Sequence, residues 1–321
     1  MPVKIDFGYT NTFLKSLNVS DIPIPAIIST RVIFTKISAI FSVFVFCYYI
    51  CRKDLQIYVK MNFENKNIWI TGASSGIGEA LTYKFAELGA NLIISSRRES
   101  ELQRVKSSCK YPDKVRIVVL DLEQYRSIAQ IAEPIVAEYQ HIDILINNGG
   151  ASQRALVVDE DLTVVEKMMN INFFGAAALT KVVLPSMIAQ KSGHIVCMSS
   201  LAGKFGIPLR SGYAAAKHAL HGFFETLRAE NYDNGIRVMM VCPGYVNTNV
   251  AINALDANAQ KRGVNDEGQV KGLDPKILAE KIIKGIEKEK LEITAGGGET
   301  NGIWVSRFFP RLFAKIIRKK K

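Results

Sequence analysis

A chain of 321 residues with 48% hydrophobic side chains carries enough apolar mass to bury one large core or two small ones, and too much to stay disordered. Its formal net charge of +11 raises nucleic acid as a partner, but the charge sits at the ends: residues 1–60 hold seven Lys/Arg against three Asp/Glu, residues 303–321 hold seven against none, and the body balances at 27 against 27. A neutral body offers no groove for a polyanion, so no nucleic-acid partner is expected.

The first element is the apolar run from Val32 to Ile50, VIFTKISAIFSVFVFCYYI, followed by Arg52 and Lys53. A bilayer span needs about 20 apolar residues, and the charge-free stretch from Ile37 to Cys51 reaches that length only if Lys36 snorkels. The preferred reading of residues 1–60 is an extension with one membrane anchor at 32–51; the polar lead from Met1 to Thr30 does not fit a cleaved signal peptide. The other reading is that Met61 opens the working protein. The first makes the protein membrane-associated, in the endoplasmic reticulum if eukaryotic, and the second makes it cytoplasmic.

From residue 61 to 302 apolar strands alternate with helical patterns: NIWIT (67–71), NLIISS (91–96), VRIVVL (115–120), DILIN (143–147), HIVCMS (194–199), IRVMMVC (236–242) and LEITA (291–295). Strands without polar alternation are covered on both faces, and helical crossovers between them imply a parallel sheet. The expected fold is α/β, a single doubly wound, Rossmann-like parallel sheet of about seven strands, with an N-terminal apolar extension and a C-terminal amphipathic helix.

The first strand runs into TGASSGIGEALTYKF, with glycines at 72, 76 and 78. Glycines between a strand and a helix let a pyrophosphate approach the helix N-terminus, where free amides and the dipole favour an anion. The second strand ends SSRRES. An acid there would bind a ribose 2′-hydroxyl and an arginine accommodates a 2′-phosphate, so Arg97 and Arg98 predict NADP(H) as cofactor. Farther on, SGYAAAKHAL (211–220) reads as helix and sets Tyr213 and Lys217 one turn apart on one face. An unperturbed phenol of pKa about 10 is a poor acid-base catalyst near neutrality, and a cation one turn away favours phenolate. His218 and His221 lie three apart on the same helix without an acidic or thiol partner nearby in sequence, so no metal is expected. The five cysteines are odd in number and show no CxxC spacing, which predicts reduced thiols.

These motifs resemble the short-chain dehydrogenase/reductase family over roughly residues 62–300, and the resemblance implies roles for the remaining positions. TGASSGIG (71–78) matches the family's cofactor loop and assigns Thr71, Gly72, Ser74, Ser75, Gly76, Ile77 and Gly78 to the cofactor. Asp121 and Leu122 stand where the family contacts adenine. NNGG (147–150) replaces the usual NNAG and brings Asn148 and Gly149 to the site. Asn172 in NINFFG aligns with an active-site asparagine that holds a water linking Lys217 to solvent. Ser200 lies thirteen residues before Tyr213, the family's catalytic spacing, and would orient the substrate oxygen. Tyr213 and Lys217 complete YxxxK, with Lys217 also on the nicotinamide ribose. PGYVNT (243–248) brings Pro243, Gly244, Val246 and Thr248 over the nicotinamide, Thr248 on its carboxamide. Ser75 stands where some NADP-dependent relatives carry lysine, which leaves the phosphate to Arg97 and Arg98. Within the family the sequence is similar to the group containing dehydrogenase/reductase member 7, and more distantly to membrane-anchored hydroxysteroid dehydrogenases.

The implied activity is carbonyl–alcohol interconversion on a small hydrophobic, lipid- or steroid-like substrate. A 3-oxoacyl thioester reductase and a catalytically silent cofactor-binding membrane scaffold are the alternatives. The irregular segment from Val250 to Leu273 reads as a mobile substrate lid. Apolar positions Leu220, Phe223, Phe224 and Leu227 exceed what one sheet-facing stripe needs and point to a homodimer or tetramer. Residues 303–321 place Trp304, Phe308, Leu312, Phe313, Ile316 and Ile317 on one stripe and Arg307, Arg311, Lys315 and Arg318 opposite. Such a helix suits an anionic membrane surface, or it packs on the body and covers the substrate mouth, bent at Pro310. The terminal RKKK loosely resembles a dibasic endoplasmic-reticulum retrieval signal, but a solvated basic tail is the commoner reading of such a run.

Overall fold

The computed structural model describes residues 61–319; the expected anchor at 32–51, Cys47, Cys51 and the last two lysines lie outside the described residues. Seven parallel strands form one sheet in the order β3-β2-β1-β4-β5-β6-β7: β1 (Asn67–Thr71), β2 (Asn91–Ser96), β3 (Val115–Val119), β4 (Ile144–Asn147), β5 (Gly193–Met198), β6 (Ile236–Pro243) and β7 (Glu292–Ala295). Every expected strand is present within a residue or so. Ile68, Trp69 and Ile70 are consecutive and all fully buried, as a strand covered on both faces requires. The Trp69 indole pairs its one polar atom by donating to Ser95 Oγ at 2.8 Å.

One face packs under α1 (Gly76–Glu87), α2 (Glu99–Ser107) and α8 (Pro275–Glu287), with Ile68, Phe85, Leu102 and Ile282 in a shared cluster. The other packs under α3 (Ile128–Tyr139), α5 (Gly175–Ala189) and α6 (Ser211–Asn231), around Trp69, Leu145, Leu179 and Phe224. Helix α4 (Leu162–Met169) continues into α5 through a π-helical turn over Asn170–Phe174. The run 162–189 is the one helix among the described residues long and apolar enough to cross a membrane; half of its apolar window is buried within the fold, as in a core helix.

Leu220, Phe224 and Leu227 go into this chain's own core, so three of the four side chains read as surplus are accounted for within the subunit. Phe223 packs edge-to-face on Phe173, 5.8 Å between centroids, and Phe174 stacks on Tyr125 at 4.9 Å.

The segment 250–273 contains only the four-residue α7 (Glu267–Val270), but it is fastened: Arg154 N donates to Leu255 O at 2.7 Å and Leu255 N to Ser152 O at 2.9 Å. The C-terminal stripe forms two helices, α9 (Gly302–Phe308) and α10 (Pro310–Ile317), parted at Phe309 because Pro310 fits only a first helical turn.

Candidate active site

Strand order reverses between β1 and β4, so the chains leaving their carboxyl ends turn opposite ways and open a crevice. The glycine loop forms one lip. Gly72 (φ 65°) and Gly76 (φ 60°) lie in the left-handed region that other residues avoid. A β-carbon on Gly76 would come within 2.9 Å of Thr248 Cγ2, and one on Gly72 within 2.7 Å of Gly149 Cα. Ser75 precedes α1 without a side-chain cap, which leaves the first amides of the helix to a ligand.

The NNGG loop is clamped against this lip. Asn148 N and Gly149 N donate to Thr71 Oγ1 at 3.0 and 2.9 Å, and Asn148 Nδ2 donates to Thr71 O at 2.9 Å. Thr71 is 1% exposed, so its hydroxyl holds the loop. Leu122 Cδ1 lies 2.4 Å from where a Gly149 β-carbon would stand, space that alanine in the usual NNAG would occupy. Asp121 accepts from Glu123 N at 3.0 Å. Beyond β2, Arg97 and Arg98 are both exposed, and Arg98 Nη2 donates to Ser74 Oγ at 3.1 Å and Ser75 Oγ at 3.3 Å.

A cavity of about 360 Å³ is lined by Ile77 and Asn148 on the loop side, by Asn172, Ser200, Tyr213 and Lys217, and by Pro243, Gly244, Val246 and Thr248. Helix α6 carries the Tyr213–Lys217 pair. Lys217 is 4% exposed, its Nζ 5.5 Å from the Tyr213 ring centre and donating to Met198 O at 2.7 Å. Ser200 accepts from Ala202 N at 3.2 Å and so caps the turn Leu201–Gly203. Asn172 lies in the π-helical turn, a distortion frequent at functional sites; its Nδ2 donates to Met168 O at 2.9 Å and its Oδ1 accepts from Ala151 N at 3.2 Å. Gly150 separates Asn172 from Lys217: a β-carbon there would stand 2.6 Å from Asn172 Oδ1 and 3.6 Å from Lys217 Nζ. Gln269 donates to Val246 O, and to Thr248 Oγ1 at 3.2 Å. The outer wall includes Val305, Phe313, Ile316 and Ile317, so the C-terminal helices cover this mouth.

A model of the short chain dehydrogenase family matches residues 66–259. A fruit-fly protein (Drosophila melanogaster), dehydrogenase/reductase SDR family protein 7-like, is 40% identical over 263 residues, spanning 79% of this chain and 80% of the fly protein. The chain belongs to the short-chain dehydrogenase family. Its sequence places it in the dehydrogenase/reductase member 7 group of these oxidoreductases; zebrafish (Danio rerio) member 7B is 38% identical over 267 residues, covering 81% of this chain and 86% of the relative. The crystal structure of a short-chain dehydrogenase from Streptomyces avermitilis superposes with a TM-score of 0.68 at 28% identity, over 80% of this chain and all of the other. Members of this family act on CH–OH or C=O groups with a nicotinamide cofactor.

Several residues of this short-chain dehydrogenase site have no motif to announce them. Gln153 is fully buried; its Oε1 accepts from Tyr213 N at 2.7 Å and its Nε2 donates to Ser211 Oγ at 3.2 Å and to Glu160. It thereby caps α6 from another element, in place of Arg210, which offers no side-chain cap. Arg154 and Arg210 line the cavity. His218 does not join His221: its Nδ1 faces Ala214 O at 2.8 Å. Instead His221 meets Cys242 and Glu292, with ligand atoms within 4.8 Å of one another, thiol and acid partners that sequence distance hides. Lys204 occupies Glu292 at 2.6 Å. Burial pushes the Cys242 and Cys197 thiols up to about 12 and Cys109 to about 11, which makes all three poor nucleophiles.

Proposed function

We propose that this protein is an NADP(H)-dependent oxidoreductase that interconverts a carbonyl and a secondary alcohol on a hydrophobic, lipid- or steroid-like substrate. The observation that carries the reading is convergence: Asn172, Ser200, Tyr213 and Lys217 line one cavity together with Ile77 of the glycine loop and Thr248. The uncapped start of α1 and the close approach of Gly76 to Thr248 fit a dinucleotide's pyrophosphate. Arg98, bridging Ser74 and Ser75, and the absence of an acid at the end of β2 favour a 2′-phosphate.

When bound, the nicotinamide supplies or accepts the hydride. Tyr213 Oη gives a proton to the nascent alkoxide in reduction and takes it back in oxidation. Ser200 donates a hydrogen bond to the same oxygen. Lys217, 5.5 Å from the phenol ring centre, offsets the negative charge the tyrosine carries once its proton has left. Asn172 holds the water through which Lys217 exchanges protons with solvent. Residues 61–302 form the catalytic domain. The anchor at 32–51 and the basic helices of 303–321 hold it at a membrane, and it assembles as a homodimer or tetramer.

The test is an NADPH-oxidation screen over ketosteroids, retinals, quinones and oxoacyl thioesters. Tyr213→Phe is expected to abolish turnover while NADPH still binds; turnover by this variant at the wild-type rate sinks the mechanism. Arg98→Asp is expected to shift the preference from NADPH toward NADH, and a wild type that prefers NADH rejects the cofactor assignment.

A further inference from the structure

The cavity holds more positive charge than Tyr213 and Lys217 have use for. Arg154 and Arg210 both line it, with side chains only 7% and 15% exposed. They converge on one carboxylate oxygen, Asp266 Oδ2, from Arg154 Nε at 3.0 Å and Arg210 Nη2 at 3.4 Å, while Arg262 takes Oδ1 at 2.7 Å. Three guanidinium groups therefore share one carboxylate. Burial pushes the Asp266 carboxyl up, but hydrogen bonds from Arg154 and Arg262 outweigh it and hold the group below the ordinary range. Burial and repulsion by Arg210 pull Arg154 below the usual guanidinium range. Among the described residues Glu299 is the one acid lining the cavity, and its Oε1 accepts from the amides of Tyr245 and Gly297 at 3.1 Å each.

The two arginines differ in what they have left to give. Arg154 also donates to Ser152 Oγ at 2.7 Å and Gln153 O at 2.6 Å. For Arg210 the long contact with Asp266 is the guanidinium's one hydrogen bond among the described residues; the Tyr245 ring centre lies 5.9 Å from its central carbon. A half-paired cation in a low-dielectric wall is costly until an anion joins it, and a planar fork of donors matches a carboxylate or phosphate. Phe205, Val305 and Phe313 supply an apolar wall in the same cavity.

The geometry points to an anion-binding subsite at Arg210, backed by Arg154, so that the substrate is an amphipathic acid: an apolar body against Phe205, Val305 and Phe313, and a carboxylate or phosphate on the Arg210 guanidinium. This inference rests on the reading of the cavity as the substrate site and narrows its substrate class. Arg210 precedes Tyr213 by three residues, so the subsite sets which carbonyls are held beside the catalytic phenol.

The test uses the full chain with two matched pairs of long-chain ketones: a keto acid with its methyl ester, and a keto phosphate monoester with the corresponding keto alcohol. Binding to the protein loaded with oxidised cofactor is read by calorimetry, and turnover separately by NADPH absorbance. The wild type is expected to bind the anion of at least one pair roughly tenfold or more tightly than its neutral partner; Arg210→Gln removes the preference and Arg210→Lys keeps part of it. The pair that shows the preference identifies the anion. Equal affinity within both pairs, or a preference that survives in Arg210→Gln, overturns the inference. Anions bound with this preference yet never reduced would count against the catalytic reading and leave the subsite standing.

Discussion

At the scale of single residues, the site depends on atoms that are absent as much as on those present. Gly150 keeps open the gap between Asn172 and Lys217, and a methyl group there would stand 2.6 Å from Asn172 Oδ1, well inside van der Waals contact. Gly150→Ala is expected to displace the Asn172 amide from Ala151 N and cut turnover about tenfold or more, since misplacement of a catalytic group by an ångström has that scale of effect. Steady-state rates beside an unchanged circular-dichroism spectrum check it. The motif residues were legible in the sequence because chemistry fixes their identities and short spacings: glycine where the backbone turns, tyrosine and lysine one helical turn apart. Gln153 was not legible. Its partners Ser211 and Tyr213 lie 58 and 60 residues away, and a buried glutamine has no pattern of its own. Arg154 with Asp266, 112 residues apart, escaped for the same reason, and so did the meeting of His221 with Cys242 and Glu292.

At the scale of elements, helix α6 starts correctly only because another segment completes it. Its first turn lacks a side-chain cap of its own, and Gln153 accepts the Tyr213 amide instead. Gln153→Ala is expected to lower stability by about 1–3 kcal/mol, the cost of stranding a buried donor, read as a shift in the urea midpoint. Strand β5 carries a second liability. Burial presses the His194 imidazole down to about 4, and its Nε2 is buried with no hydrogen-bond partner among the described residues. Below pH 6.5 the unfolded chain takes up a proton that the native histidine refuses, so stability present above pH 6.5 is lost as pH falls to about 4, by up to about 3 kcal/mol. His194→Gln should flatten this window in denaturation midpoints measured from pH 7 to 4; an unchanged slope would show that other groups set it. The strands themselves could be read from sequence because burial on both faces demands unbroken apolar runs. The break at Phe309 was foreshadowed by Pro310, but the division of the stripe into cavity wall and exposed surface depends on where the body ends, which no local pattern encodes.

At the scale of the whole molecule, the described fold separates two kinds of apolar surface. The sheet and its helices share a buried core that takes in Leu220, Phe224 and Leu227 of α6, while Leu162 of α4 stays exposed. The C-terminal pair keeps part of its surface outside: Trp304, Phe308 and Leu312 are 68%, 62% and 51% exposed, Trp304 stacks on Phe308 at 5.7 Å, and Arg307, Arg311, Lys315 and Arg318 lie among them. Phe313 is half-buried and meets the body edge-to-face on Phe205 at 4.8 Å. Replacing Trp304, Phe308 and Leu312 together with serine is expected to weaken binding to anionic vesicles at least about tenfold, given the apolar area lost. Co-sedimentation measures it, and retention of wild-type binding would assign attachment elsewhere.

The stretch Ser152–Arg154 has a mechanical meaning beyond its hydrogen bonds. The segment 250–273, which gives Val250 and Gln269 to the cavity wall, holds it from one side through Leu255 and Asp266, and the amide of Tyr213 holds it from the other through Gln153. The link runs to the backbone at Tyr213, in the first turn of α6. Three adjacent residues thus join the segment that follows Thr248 to the start of the helix that carries Tyr213 and Lys217.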